Sequence, residues 1–122
     1  MADNNPALLK AITSFLAVEF DVVATASDGK QAMNLARRLK PDLVVLDLGM
    51  PVINGLEATR ELAKHSPAIV ICSVESDPDI VAAARNAGAL GYVFKVRIAK
   101  DLVSAVKSAI RGEPFVSPES RI

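Results

Sequence analysis

The chain has 122 residues, of which 51% are hydrophobic, and its 14 basic side chains balance 14 acidic ones. This length fits one domain with a substantial core, and the zero net charge argues against a wide nucleic-acid footprint. No signal peptide or bilayer-spanning apolar stretch is visible, so we expect a soluble, cytoplasmic protein with no membrane partner. The single cysteine, Cys72, lies within an apolar run and is expected to be a buried structural thiol.

Apolar residues at helical spacing predict five helices along the chain. Proline at a first helical position and glycine just after a helix are the expected boundary signals. The helices are predicted over residues 7–18, from the turn at 27–29 to Pro41, over about 56–65, from Pro78 to about Ala87 with Asp77 as N-cap and Gly88 as C′ residue, and through 102–110 to Gly112.

Apolar runs predict strands over residues 21–26, 43–47, 68–73 and 91–94. The run Leu43–Leu46 is typical of a strand buried on both faces. Helices and strands alternate, which predicts an α/β fold with a parallel sheet covered by helices. The chain opens on a helix, so the strand that normally feeds such a helix is expected before Met1. Residues 113–122, with two prolines, are predicted to be a linker.

Reactive or polar side chains stand at three predicted strand ends: Asp47, Ser73 and Lys95. Asp3 precedes the first helix, at the end of the absent strand. Parallel strands bring their carboxyl ends to one edge, so these four side chains should converge there. An acid nucleophile, a second acid, a hydroxyl and an ammonium suit phosphoryl transfer. Two nearby carboxylates favour a Mg²⁺ ion between them.

A known family carries the same motifs at the same places. The quoted segments are Asp47-Leu48-Gly49-Met50-Pro51, Asn54-Gly55, Ser73 and Gly91-Tyr92-Val93-Phe94-Lys95. In this combination the chain resembles a bacterial response-regulator receiver domain over essentially its whole length. The resemblance implies a flavodoxin-like, doubly wound parallel sheet of order 2-1-3-4-5, here lacking its first strand. Residues 1–112 would be the receiver domain and 113–122 a linker remnant.

The resemblance also implies a role for each matched residue. Asp47 would accept a phosphoryl group from a sensor histidine kinase, with Mg²⁺ as cofactor. Ser73 and Lys95 would contact the phosphoryl group, and Tyr92 would turn inward on activation. The metal would be held by Asp3, Asp47 and the backbone carbonyl of Gly49, with Asn4 as a further candidate.

On this interpretation the protein is a phosphorylation-controlled switch rather than an enzyme. Activation would change a surface for a partner or a second copy, giving a homodimer, and would regulate transcription. The tail resembles the linker of the subfamily with a LuxR-type helix-turn-helix. That output domain is absent from this segment, which is therefore expected to bind no nucleic acid itself.

Asn4 stands where the subfamily usually has an acid, which motivates an alternative hypothesis. An amide oxygen brings no charge to a Mg²⁺ site, so metal binding should be weaker. The alternative is a degenerate receiver-like dimerisation or interaction module with weak or no phosphorylation. An Asp-dependent phosphatase is disfavoured because Gly49 stands where such enzymes carry a second Asp. No glycine-rich nucleotide-binding loop is present.

Overall fold

A computed structural model describes residues 5–22, 24–47, 55–64 and 67–118. Its described residues form one parallel sheet, whose strands pair in the order β1-β2-β3-β4. The strands are β1 (Leu43–Leu46), β2 (Ala68–Ser73), β3 (Gly91–Phe94) and β4 (Phe115–Val116). The helices are α1 (Pro6–Leu16), α2 (Gly29–Leu39), α3 (Gly55–Ala63), α4 (Pro78–Ala87) and α5 (Ile98–Ile110), with a short 3₁₀ helix at Lys95–Arg97. None of these described helices is long and apolar enough to cross a membrane.

Local capping signals explain where the helices begin and end. The Asn5 side chain accepts a hydrogen bond from the amide of Leu8, so α1 begins at Pro6. Asp28 caps α2 in the same way, and Asp77 caps α4. Gly88 ends α4 with a φ of 122°, which glycine adopts at little cost. These boundaries confirm the capping predictions for α4.

Two apolar layers enclose the sheet. Alternate strand residues such as Leu46, Ile71 and Tyr92 pack with α2, α3 and α4 on one face. Their neighbours, such as Val45 and Cys72, pack with α1 and α5 on the other face. Because β2 and β3 are buried throughout almost their whole length, they read as continuous apolar runs. Cys72 is fully buried, as predicted.

The predicted strand over residues 21–26 is wrong. Its described residues form no ladder, and only Ala26 makes an isolated bridge. In the predicted strand order, its neighbour is the strand that would precede α1. A strand is stabilised by its ladder and cross-strand contacts, and the described residues of this segment form no ladder, so a strand-forming sequence alone does not produce a strand here.

A cleft of about 450 Å³ lies between β1 and residues 21–26. We call it the edge cleft. Its floor and walls come from Leu43–Val45, from the described residues of 21–26, from α2, and from Leu16, Val106 and Ile110 of the opposite layer. Leu39 of α2 is 45% exposed and lines this cleft. This apolar side chain of α2 is therefore only partly covered by the described core.

The tail also departs from the sequence prediction. Residues 113–122 were expected to be a linker, yet Phe115 and Val116 form β4 parallel to β3. Leu90 and Tyr92 supply the carbonyl oxygens that accept from the amides of Phe115 and Ser117, at 3.1 and 2.9 Å. A two-residue strand carries almost no periodicity, so the sequence pattern gave no indication of it.

Candidate functional site

The strand register brings the predicted site residues to one edge of the sheet. Leu46 pairs with Ile71, so Asp47 lies one position beyond the last β1–β2 pair. Ser73 pairs with Phe94 at the ends of β2 and β3, and Lys95 follows directly. All three lie at the carboxyl edge, where ligands bind in open α/β sheets.

Asp47 and Lys95 form an ion pair although 48 residues separate them. Lys95 Nζ donates to Asp47 Oδ2 at 3.2 Å. Their side chains are only 14% and 8% exposed, for Lys95 and Asp47 respectively. Both charges have therefore lost most of their water, and each depends on the other to offset that desolvation. The two groups thus form a buried polar pair at the carboxyl edge of the sheet.

Ser73 lies beside this pair and is almost fully buried. Its Oγ accepts a hydrogen bond from the amide of Glu75 at 3.1 Å. The chain therefore turns back over the serine immediately after β2, which fixes the position of its oxygen.

Tyr92 is fully buried and reaches the same turn. Its hydroxyl donates to the carbonyl oxygen of Glu75 at 2.8 Å. Burial raises the pKa of the Tyr92 hydroxyl above its usual value, and a hydrogen bond with Ser73 partly opposes that shift. The ring meets Phe94 edge to face, with centroids 5.9 Å apart. The aromatic side chain thus occupies an inward position, in contact with the serine and with the turn after it.

Sequence reasoning placed Asp47, Ser73 and Lys95 at this edge, and the resemblance alone named Tyr92; in the structure these side chains lie near one another. Glu75 was missed, because it contributes backbone atoms, which leave no signal in side-chain chemistry. The predicted metal ligands Asp3, Asn4 and Gly49 lie outside the described residues. Within the described ranges, no group of three or more His, Cys, Asp or Glu side chains could hold a metal ion.

The side chains of Asp47, Lys95 and Ser73 have the chemistry that would suit a phosphoryl group. The Asp47 carboxylate offers an oxygen nucleophile. The Lys95 ammonium and the Ser73 hydroxyl are the kinds of group that stabilise charge on phosphoryl oxygens. These three side chains are of the kinds that phosphoryl transfer uses on the protein side.

Comparison with known proteins gives consistent results. The family model described as "Response regulator receiver domain" matches residues 1–107. The chain is 33% identical over 121 residues to the transcriptional regulatory protein DegU of Brevibacillus brevis, covering 96% of this chain and 51% of that protein. It is 36% identical over 121 residues to the response regulator protein VraR of Staphylococcus aureus, covering 96% and 58%.

A solved structure shows the same fold. The two-component response regulator of the LuxR family from an Aurantimonas species has a TM-score of 0.91 and 31% identity, with 96% of this chain and 86% of that chain covered. The chain spans between half and three fifths of the two curated relatives. The motifs, the parallel sheet and these matches agree, and the chain belongs to the response regulator receiver domain family.

Proposed function

We propose that Asp47 accepts a phosphoryl group from a sensor histidine kinase and that this controls a signalling surface of the protein. The observation that carries the proposal is the buried Asp47–Lys95 pair at the carboxyl edge of the sheet. A structural ion pair is often replaceable by apolar residues without loss of stability. A buried pair that opens onto a ligand-binding edge, next to a hydroxyl, is better explained by binding and chemistry.

In the proposed reaction, an Asp47 oxygen attacks the phosphorus of a phosphohistidine on the kinase. The new P–O bond forms as the P–N bond breaks, and the imidazole leaves with the electron pair. Lys95 then exchanges its carboxylate partner for a phosphoryl oxygen, and the Ser73 hydroxyl donates to a second one. Both groups act where negative charge is greatest, in a pocket with little water.

Mg²⁺ is the cofactor that this chemistry favours. Asp47, Asp3, the Gly49 carbonyl and Asn4 would hold it, an all-oxygen set of the kind Mg²⁺ prefers. The bound ion would neutralise the carboxylates and the phosphoryl oxygens. The buried Asp47 carboxylate fits such a site, since one ammonium alone cannot balance both an acid and an incoming dianion.

The switch is proposed to run through Ser73 and Tyr92. A phosphoryl group adds a charge of about −1.5 to −2, which should draw Ser73 and its turn toward Asp47. Tyr92 is bonded to that turn through Glu75, so its inward position should become more populated. The face formed by α4, β3 and α5 would then change for a partner or a second copy, which in the whole protein would regulate transcription.

The test is a titration with BeF₃⁻ and Mg²⁺, followed by NMR shifts of the amides around Asp47 and Tyr92. Millimolar or tighter Mg²⁺ binding and saturable BeF₃⁻ binding are expected. Asp47→Asn should abolish the BeF₃⁻ response. Asp42→Asn, the same substitution on an exposed residue just before β1, should leave it intact.

Absence of BeF₃⁻ binding by the unmodified protein would refute the acceptor assignment. If Mg²⁺ also failed to bind, the interaction module without phosphorylation would be the better description. Asn4→Asp distinguishes a weakened metal site from a lost one, because an added carboxylate should strengthen Mg²⁺ binding only where the other ligands are in place.

A further inference from the structure

The tail strand β4 is fastened to β3 by a buried side chain. Ser117 is 3% exposed and immediately follows β4. Its Oγ accepts a hydrogen bond from the amide of Phe94 at 3.1 Å and donates one to Asp101 Oδ2 at 2.8 Å. A hydroxyl that uses both its donor and an acceptor site inside the core fixes the tail in one position.

Asp101 is held in turn by Arg97. The guanidinium donates from Nε to Asp101 Oδ2 at 2.6 Å and from Nη2 to Oδ1 at 3.4 Å. Burial by itself would raise the pKa of Asp101, but the hydrogen bonds from Arg97 and Ser117 outweigh burial and lower it. The carboxylate is therefore charged at neutral pH and is a strong acceptor for the serine. We call Ser117, Asp101 and Arg97 the tail latch.

The connection from β3 through α5 to β4 has an uncommon hand, so β4 needs an additional contact to stay paired with β3. Helices α3 and α4 cover one face of the sheet and α5 covers the other, yet β2, β3 and β4 are added in the same direction. The connection through α5 therefore has the opposite hand to those through α3 and α4. Parallel crossovers are right-handed in about 98% of cases, so a two-residue strand in this place needs an anchor of its own.

The tail latch is bonded to β3, the strand that leads directly to Lys95. Ser117 binds the amide of Phe94, the residue directly before Lys95. Its own amide donates to the carbonyl of Tyr92 at 2.9 Å. The docked tail thus pairs with the backbone of β3 at the position of the aromatic switch and next to the ammonium that faces Asp47. Releasing it would leave the amide of Phe94 and the carbonyl of Tyr92 without these partners at the end of β3.

We propose that Ser117 is a positioning residue for Lys95, and that docking of residues 115–117 is coupled to occupancy of the Asp47 pocket. The inference rests on the proposed function for its ligand, but not for its geometry. The docked tail fixes the end of β3 so that Lys95 faces Asp47. By thermodynamic reciprocity, a ligand that engages Lys95 tightens the docking of the tail.

The experiment compares the full chain with Ser117→Ala, Ser117→Thr and Asp101→Asn, using BeF₃⁻ with Mg²⁺ as the probe. Ser104→Ala, on the exposed face of α5, is the matched control. Coupling between sites is usually worth about 5- to 150-fold in affinity. We expect Ser117→Ala to weaken BeF₃⁻ binding about 5- to 20-fold, Asp101→Asn to weaken it less, and Ser117→Thr to restore it.

Amide hydrogen exchange supplies the reciprocal measurement. Saturation with BeF₃⁻ should slow exchange of the Ser117 amide in the unmodified protein by about the same factor. Equal BeF₃⁻ affinity in Ser117→Ala and the unmodified protein, within twofold and with both folded by circular dichroism, would overturn the proposal. So would an exchange rate at Ser117 that BeF₃⁻ leaves unchanged.

A ligand-free measurement separates this inference from the proposed function. The interaction energy of Asp47 with Lys95, from a double-mutant cycle in chemical denaturation, should fall by at least half in the Ser117→Ala background. If the unmodified protein fails to bind BeF₃⁻, the acceptor assignment fails, and this cycle alone decides the positioning role. An unchanged interaction energy would then refute it.

Discussion

The edge cleft predicts that a single added strand will stabilise the protein. The perturbation is a five-residue segment of Val, Ile and Leu fused ahead of residue 1. It should pair parallel to β1, enter the cleft of about 450 Å³ and contact the apolar walls formed by α2, α1 and α5. Residues 21–26 should then gain a neighbour and form the strand that their sequence favours.

The expected gain follows from burial and ordering. Burying each side chain contributes about 1.5–3 kcal/mol, and ordering each residue costs about 1.5 kcal/mol. Five residues in the middle of that range leave about 4 kcal/mol of extra unfolding free energy. For a domain of this size, that corresponds to roughly 10–20 °C in melting temperature.

Urea denaturation followed by circular dichroism measures this gain. The matched control has proline at the centre of the added segment, which removes a ladder donor and breaks strand pairing. Hydrogen exchange at Leu43 and Val45, whose amides point away from β2, reports directly on the cleft edge of β1 and should slow only with the unbroken segment. Equal unfolding free energies for the extension and its proline control would refute the cleft as a strand site.

Three further predictions concern single contacts. The double-mutant cycle of Asp47→Asn and Lys95→Met should give a favourable interaction of about 1–3 kcal/mol in urea denaturation, and a value near zero would contradict the 3.2 Å pair. Gly88→Ala should destabilise by more than about 1 kcal/mol, since φ is 122° and the new Cβ would lie 2.6 Å from that of Ala63; unchanged thermal stability would contradict this. The folded pKa of Asp101 is lowered, so its contribution should be present above the unfolded pKa of about 3.9 and lost as pH falls through the folded value. Asp101→Asn should flatten the acid limb of the stability profile.

The parts of the fold that the sequence predicts correctly are those with local causes. Helix α4 was predicted from Asp77, Pro78 and Gly88, because caps act within a few residues. Residues 21–26 have a strand-forming sequence but form no ladder, since pairing depends on a neighbour elsewhere in the chain. The error at the tail has the same origin, because β4 exists through its contacts with β3.

In the candidate site, too, some contacts follow from a general rule of the fold and others do not. The contact between Asp47 and Lys95 was predictable across 48 residues because parallel strands place their carboxyl ends together. No such rule predicts the contact between Ser117 and Asp101, because the tail returns to β3 by a connection of the less common hand. Their hydrogen bond could be found only from the structure.

Strand β1 borders both the candidate site and the edge cleft. Asp47 directly follows its carboxyl end, while the edge of β1 that faces away from β2 borders the edge cleft. Lys95 instead follows β3, and Ser73 is the last residue of β2; both of these strands have a paired strand on each side. Among the described residues, β1 has a paired strand on one side only, so the proposed acceptor Asp47 lies on a strand with fewer paired neighbours than the strands of Ser73 and Lys95. A strand added to the cleft should consequently order Asp47 more than Lys95 or Ser73, so that changes at this edge of the sheet act on the proposed acceptor and leave the other two groups in place.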